Sequence, residues 1–422
     1  MAEGETNELA NAAKMYWAAE GYAPGGTIRA VDYATQRGGA HALFEGIRIV
    51  DCDTHITEAP DLFTSRAPAK YKDQVPRLVR DANGSHRWTC GGRDFGWTGG
   101  NVITPDHQKL LGRLAFPTLE EGHEASWCMK SRVRLMDEMG VWAHIAFQNS
   151  GVTQAGSLMA LGDNELGLTI VRIFNDASAQ NQAESGQRVF PMAHLPYWDR
   201  AAMIAEAHRC LDLGLKGFVL PDKPEKMGTP RYTDEWWAPL LSLCNETGTP
   251  ISYHINSAMD PSMVIWEGLS FERKLTVYPI MYSLSCAATL GNWMVSGLLD
   301  RYPKLKIGLI EAGMGWVPFV LEMLEHQFDE MMPNSAALLD KRPWEYFREN
   351  FWTTFWFERI GPKTQLETVG VDRVLFETDF PHPTSLYPDV QARLVEVLGD
   401  QPYEIRKKVL QDNASRLYNL GL

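Results

Sequence analysis

Cysteine is scarce and scattered in this 422-residue sequence: Cys52, Cys90, Cys128, Cys210, Cys244 and Cys286 form no CxxC pair. That spacing excludes a zinc ribbon or a disulfide-stapled domain and reads as the reduced thiols of a cytoplasmic protein. Positive charge is short as well, with 40 Lys and Arg against 53 Asp and Glu and a formal net charge of −13. Such a balance argues against nucleic acid or an anionic membrane surface as a partner. No apolar run is long enough to suggest a membrane span. The most apolar stretch, YPIMYSLSCAATLGNWMVSGLL, is broken by Ser, Asn, Gly and Pro. The opening MAEGETNELANAAK is polar and acidic without the apolar core of a signal, so a cytoplasmic location is expected. There is no internal repeat, and no GxGxxG follows the first apolar strand, which weakens a dinucleotide-binding reading.

What is present is a rhythm. With 45% hydrophobic and 22% charged residues, the composition is that of a globular chain with a large core. Residues 1–46 are read as an N-terminal arm, with a short helix in NELANAAKMYWAAEGY, packing on the body or on a neighbouring subunit. From residue 47 onward short apolar, β-rich runs recur: IRIVDCDTH, WAHIAFQ, VFPMAHLP, GFVLPD, PISYHIN, KIGLIEAG, WTTFWF and RVLFETDF. Helical patterns separate most of them, KSRVRLMDEMG and GLTIVRIFNDASAQNQAES among them, and several stop at Gly or before Pro. Strands alternating with helices imply a parallel sheet, and eight such units predict a single (β/α)₈ TIM barrel over residues 47–422. Long insertions follow the first strand (56–125, with a β-hairpin turning at Gly91-Gly92) and the fifth (257–285). Both leave the strand ends where barrel active sites lie, so both are expected to cover the site.

Metal-type residues stand at several of those strand ends. The first strand closes with Asp51, Asp53 and His55 at alternate positions, a spacing that puts all three on one face of a regular strand. Polar groups so placed are costly to bury unless something binds them. His254 ends the fifth strand, Glu311 the sixth and Asp379 the eighth. Imidazoles and carboxylates converging at a barrel mouth suit Zn²⁺, Mn²⁺ or Fe²⁺ with a position left open for water or substrate.

The motifs VDCDTHITEAPDLF, RVRLMDEMGV, LLDRYPKLKIGLIEAGMGWVPF and VLFETDFPHP, in this order, resemble the amidohydrolase superfamily. They are closest to its aminocarboxymuconate-semialdehyde decarboxylase-like branch, also called amidohydrolase-related. The resemblance implies a metal-dependent barrel, one divalent ion with Asp53, His55, His254 and Asp379 as ligands, and a homodimer or higher oligomer. Zn²⁺ is the first expectation. Binuclear members of the superfamily use a Lys or Glu on strand four, where the only lysine, Lys216, stands at the wrong end; one metal is therefore expected. The sequence departs from the family in two places: Asp53-Thr54-His55 replaces His-x-His or Glu-x-His, and Glu311 stands where the decarboxylases carry histidine. The leading expectation is non-oxidative decarboxylation of an aromatic or unsaturated small molecule, with Asp379 or Glu311 handling the proton. The alternative is hydrolysis of an amide, ester or C–C bond, with Glu311 or Asp379 as general base. A barrel that binds a ligand without chemistry is a third reading, disfavoured because every ligand position is filled.

An ionised Glu311 beside Asp53 and Asp379 would leave the site negative and repel a carboxylate substrate unless a cation compensates. Arg66, Lys70, Arg93 and Lys223 are candidates. Asp51, Glu377 and His382 are read as supporting residues, and His194 as a possible substrate contact. His144 is read as a core histidine, and Trp316, with Trp88, Trp97 and Trp356, as lining a flat pocket or packing.

Overall fold

The computed structural model describes residues 29–31, 39–254 and 265–422. The helix expected within the first 22 residues lies outside the described residues. Eight short parallel strands carry the architecture: β1 Val50–Ile56, β2 Ala143–Gln148, β3 Val189–Pro191 continued after Met192 by Ala193–His194, and β4 Phe218–Val219. They are followed by β5 Ile251–His254, β6 Ile307–Ile310, β7 Phe351–Phe355 and β8 Val374–Phe376. All eight apolar runs of the sequence therefore become strands.

Pairing follows chain order, β1-β2-β3 in one sheet and β3 through β8 in the next, and every pair is parallel. The two sheets meet at β3, whose first half pairs with β2 and whose second half pairs with β4. Helices fill the crossovers, including Met129–Met139 before β2, Asn164–Glu184 before β3 and Val317–Met331 before β7. At the other margin the residues after β8 run beside β1. The amide of Asp379 donates to the Asp53 carbonyl (2.9 Å) and that of His55 to the Phe380 carbonyl (2.7 Å).

One local feature departs from the sequence reading. Asp51 pairs with His144 and Thr54 with Ala146, so two residues of β1, Cys52 and Asp53, stand against the single Ile145 of β2. This is a β-bulge, which breaks strict alternation and re-aims side chains. Asp53 and His55 share a face. Asp51, before the bulge, turns to the end of β8 instead, where its carboxylate accepts from the Thr378 amide (2.8 Å) and hydroxyl.

The insertion after β1 is more ordered than a loop. Arg77–Arg80, His86–Cys90 and Arg93–Gly96 form an antiparallel sheet, and Gly91 and Gly92 make the expected turn with φ of 56° and 76°. Leu62, Phe63, Tyr71, Val75 and Trp88 of this insertion pack with Val152, Leu158, Ile170 and Phe174 in a core separate from the main one. The described part of the insertion after β5 holds two helices, Phe271–Val277 and Ile280–Val295, the second beginning earlier than its sequence pattern suggests. Among the described residues no helix is long and apolar enough to cross a membrane.

Candidate metal centre

The strand ends bring Asp53, His55, His254 and Glu311 together, with one potential ligand atom from each lying within 4.8 Å of the others. His254 Nε2 is 3.3 Å from Asp53 Oδ1 and 3.6 Å from Glu311 Oε2, and His55 Nε2 is 3.6 Å from Asp53 Oδ1. A second group, His55, Asp379 and His382, shares His55 with the first. In it, Asp379 Oδ1 lies 3.3 Å from His55 Nε2 and 2.8 Å from His382 Nδ1. The four ligands expected from the sequence are thus adjacent, and Glu311 sits with them.

The donor set fits a divalent ion. Both carboxylate oxygens of Asp53, Nε2 of His55 and Oε2 of Glu311 are buried without a hydrogen bond. Groups of that kind in a low-dielectric interior require a partner. The opposite nitrogen of His55, Nδ1, contacts the Gln148 carbonyl at 2.9 Å, the outer contact that leaves Nε2 free to ligate.

Electrostatics follow from burial. Asp53, Glu311 and Glu377 are each held well above the carboxylate range, first by desolvation; Asp379 adds to it for Asp53 against the opposing pull of His55, Asp379 and Asp53 add to it for Glu311, and Asp53 for Glu377. Burial lowers His55, with the neighbouring His382 adding to it. Asp379 moves the other way, below its usual range: desolvation opposes ionisation, but His382 and His55 outweigh it. Both site acids at strand ends, Glu311 (φ 56°) and Asp379 (φ 61°), have left-handed backbone, a conformation uncommon for non-glycine residues that concentrates at functional sites.

The supporting residues divide. Glu377 is fully buried, and its Oε2 accepts from the Glu311 amide at 3.1 Å. His382 stacks on His55 with ring centroids 3.8 Å apart. His194 is buried, with Nδ1 3.4 Å from the Thr153 hydroxyl; burial and the His254 charge lower it to about 3. His144 is fully buried, 3.8 Å from Asp51. The Trp316 indole donates to the Ala312 carbonyl (2.8 Å) at the start of helix Val317–Met331, and Trp88 belongs to the insertion core. Of the candidate cations, Lys70 pairs with Glu165 at 2.6 Å, Arg66 with Gln180 at 2.7 Å and Arg93 with the Ala160 carbonyl, all on exposed side chains. Two residues escaped the sequence reading. Arg132, on helix Met129–Met139, is fully buried and donates to the His55 carbonyl at 2.6 Å. Asn149, directly after β2, accepts from His382 Nε2 at 2.9 Å.

Carboxylates and imidazoles gathered at the ends of parallel strands give this α/β fold a group able to hold a metal ion. The family model described as Amidohydrolase matches residues 164–420. The chain belongs to the amidohydrolase family. A gamma-resorcylate decarboxylase of Polaromonas sp. (strain JS666 / ATCC BAA-500) is 27% identical over 298 residues, covering 69% of this chain and 87% of that relative. A solved amidohydrolase of Mycobacterium avium subsp. paratuberculosis K-10 superposes with a TM-score of 0.68 at 21% identity, covering 88% of this chain and 99% of that one. A dihydroxybenzoic acid decarboxylase of Polaromonas sp. JS666, solved with bound manganese and the inhibitor 2-nitroresorcinol, gives a TM-score of 0.58 at 19% identity, covering 89% and 98%.

Proposed function

We propose that this chain is a divalent-metal-dependent enzyme that removes CO₂, without oxidation, from a hydroxylated aromatic acid. The observation that carries the reading is the meeting of Asp53, His55, His254 and Glu311 beside Asp379. The curated relative's decarboxylase name supports the choice of reaction. The scaffold is a closed (β/α)₈ barrel over residues 47–422 with residues 1–46 as an arm. The hydrogen bonds between β1 and the residues after β8 support closure.

Asp53, His55, His254 and Asp379 would hold one ion. Zn²⁺, Mn²⁺ and Fe²⁺ all suit these donors, and the manganese in the Polaromonas structure makes Mn²⁺ the first to test. The ion supplies a positive centre that binds and polarises the substrate's oxygens. The chain supplies the proton. Burial and the surrounding acids favour the neutral form of the Glu311 carboxyl, and its amide is fixed by Glu377. Glu311 gives its proton to the ring carbon bearing the carboxylate. The bond to that carboxylate breaks, its electron pair restores the aromatic ring, and CO₂ departs. Solvent returns a proton to Glu311. With Glu311 neutral and Asp53 and Asp379 ionised as ligands, those two would balance a divalent ion and an anionic substrate would not be repelled.

A second reading, hydrolysis, is favoured by one observation: Glu311 stands beside His254 where an ionised carboxylate would take a proton from water. Carboxyl-labelled 2,6-dihydroxybenzoate and, in a separate incubation in H₂¹⁸O, the esters and amides of hydroxybenzoic acids, each with Mn²⁺-loaded protein, separate the two. Trapped ¹³CO₂ supports decarboxylation; ¹⁸O in the product supports hydrolysis. Elemental analysis should find about one metal per chain, absent from Asp53→Asn and His254→Ala. Two ions per chain would refute the mononuclear site. An assembly of two or more copies and a reducing cytoplasmic location, consistent with six unpaired cysteines, complete the reading.

A further inference from the structure

We propose that Asn149 is a positioning residue of the metal centre, acting through His382 on Asp379 and His55, with Gly99 and Gly100 of the first insertion closing the arrangement. This rests on the metal-centre reading above.

The amide of Asn149 is fully committed. Its Nδ2 donates to the Thr57 hydroxyl (2.7 Å) and the Gly100 carbonyl (3.0 Å). A carbonyl only accepts, so the amide cannot be turned over without losing that bond. Oδ1 must then face His382, and the 2.9 Å contact makes His382 Nε2 the donor. With one ring nitrogen anchored, the other is aimed at Asp379 Oδ1, 2.8 Å away. The ring lies nearly parallel to His55, 19° from its plane. His382 therefore bears on two candidate ligands, by a 2.8 Å polar contact with one and by its face on the other. The Thr384 hydroxyl holds the remaining oxygen of Asp379 at 2.8 Å, so the His382 contact decides where Oδ1 points.

The insertion seals this group at close quarters. A methyl at Gly99 would lie 2.4 Å from Asn149, and one at Gly100 would lie 2.5 Å from Cδ2 of the His382 ring. Gly99 also has a φ of +97°, whereas Gly100 is outside the left-handed region. Backbone conformation thus does not forbid alanine at Gly100; the His382 ring does. Gly100→Ala is accordingly a second lever on the same ring, independent of the Asn149 hydrogen bonds. Gly99 and Gly100 of the insertion and the side chains that aim the ligands form one contact network.

The test uses Mn²⁺ alone as the probe, so it is independent of the substrate. Chelator-stripped full-length protein is titrated with Mn²⁺, free ion being followed by electron paramagnetic resonance, and melting temperature is recorded in parallel. The wild type, Asn149→Leu, Gly100→Ala, His382→Ala and the Asn149→Leu/His382→Ala double variant are compared. Loss of an outer partner of a metal ligand weakens metal affinity by about 10–100-fold, and that loss is expected in Asn149→Leu and Gly100→Ala. Because Asn149 acts through His382, the double variant should bind no more weakly than His382→Ala alone. Unchanged affinity in folded Asn149→Leu and Gly100→Ala, or additive losses in the double variant, would overturn the proposal. A lowered melting temperature with unaltered affinity would assign Asn149 a structural role only and overturn it equally. A wild type that binds no Mn²⁺ would instead bring down the metal-centre reading on which the proposal stands.

Discussion

Glu358, just after β7, offers a clean measurement of what a buried acid costs this fold. Its carboxylate accepts from the Gly315 amide (2.8 Å) and the Met314 amide (3.0 Å), fastening the turn that follows Glu311. Burial nevertheless pushes it up from 4.5 to about 7, the two amides recovering only part of the desolvation cost. Below about pH 4.5 the group is protonated in the folded and unfolded chain alike, and no linkage arises. As pH rises toward 7 the unfolded chain releases the proton while the folded chain keeps it, so stability falls across that window and stays lower above it. At about 1.4 kcal/mol per pH unit, a move from 4.5 to about 7 is worth on the order of 3 kcal/mol. Partial exposure screens some of it, leaving about 2 kcal/mol. Glu358→Gln keeps an acceptor oxygen for the same amides and removes the titration. Urea unfolding of both proteins from pH 4 to pH 8 should show the variant gaining about 2 kcal/mol on the wild type as pH rises, whatever their difference at pH 4. A difference that stays level with pH, or that shrinks, would refute the reasoning.

Glu311 sits at φ 56°, a backbone region that costs a non-glycine residue about 1–2 kcal/mol; allowing for glycine's greater unfolded-state entropy, Glu311→Gly should be more stable than Glu311→Ala by about 1 kcal/mol. Chemical denaturation checks this, and an alanine variant as stable as the glycine one would disprove backbone strain at that position. Arg132→Met should lose about 2 kcal/mol, because a buried charge-assisted hydrogen bond to the His55 carbonyl disappears. A change under about 0.5 kcal/mol, the scale of an ordinary surface substitution, would mean that Arg132 does not hold the β1 end.

Strand positions were legible because each is a short apolar run bounded by turn residues, and the ligand positions because each run ends in a residue too polar for the core it adjoins. Glu311 and Asp379 could be named from that contrast alone. The bulge at Cys52 and Asp53 could not, since it depends on the register of β1 against β2. Asn149 and Arg132 stayed hidden for a related reason. An asparagine after a strand reads as a turn residue, and an arginine within KSRVRLMDEMG reads as the solvated side of a helix. Their roles arise from neighbours distant in sequence, His382 for one and His55 for the other. Likewise the glycine pair Gly91-Gly92 announced a hairpin, while nothing in Arg77–Arg80 announced a third strand beside it.

The separate core beneath the first insertion bears on how such an enzyme changes over time. Leu62, Phe63, Tyr71 and Trp88 are anchored on Val152, Leu158, Ile170 and Phe174, not on the strand residues that present Asp53, His254 or Glu311. Side chains of that core can therefore change as a set without disturbing those three. Asn149 and His382, pressed against Gly99 and Gly100, are where that freedom ends. An exchanged insertion must keep that glycine pair or displace Asn149 and His382 from their places beside the ligands.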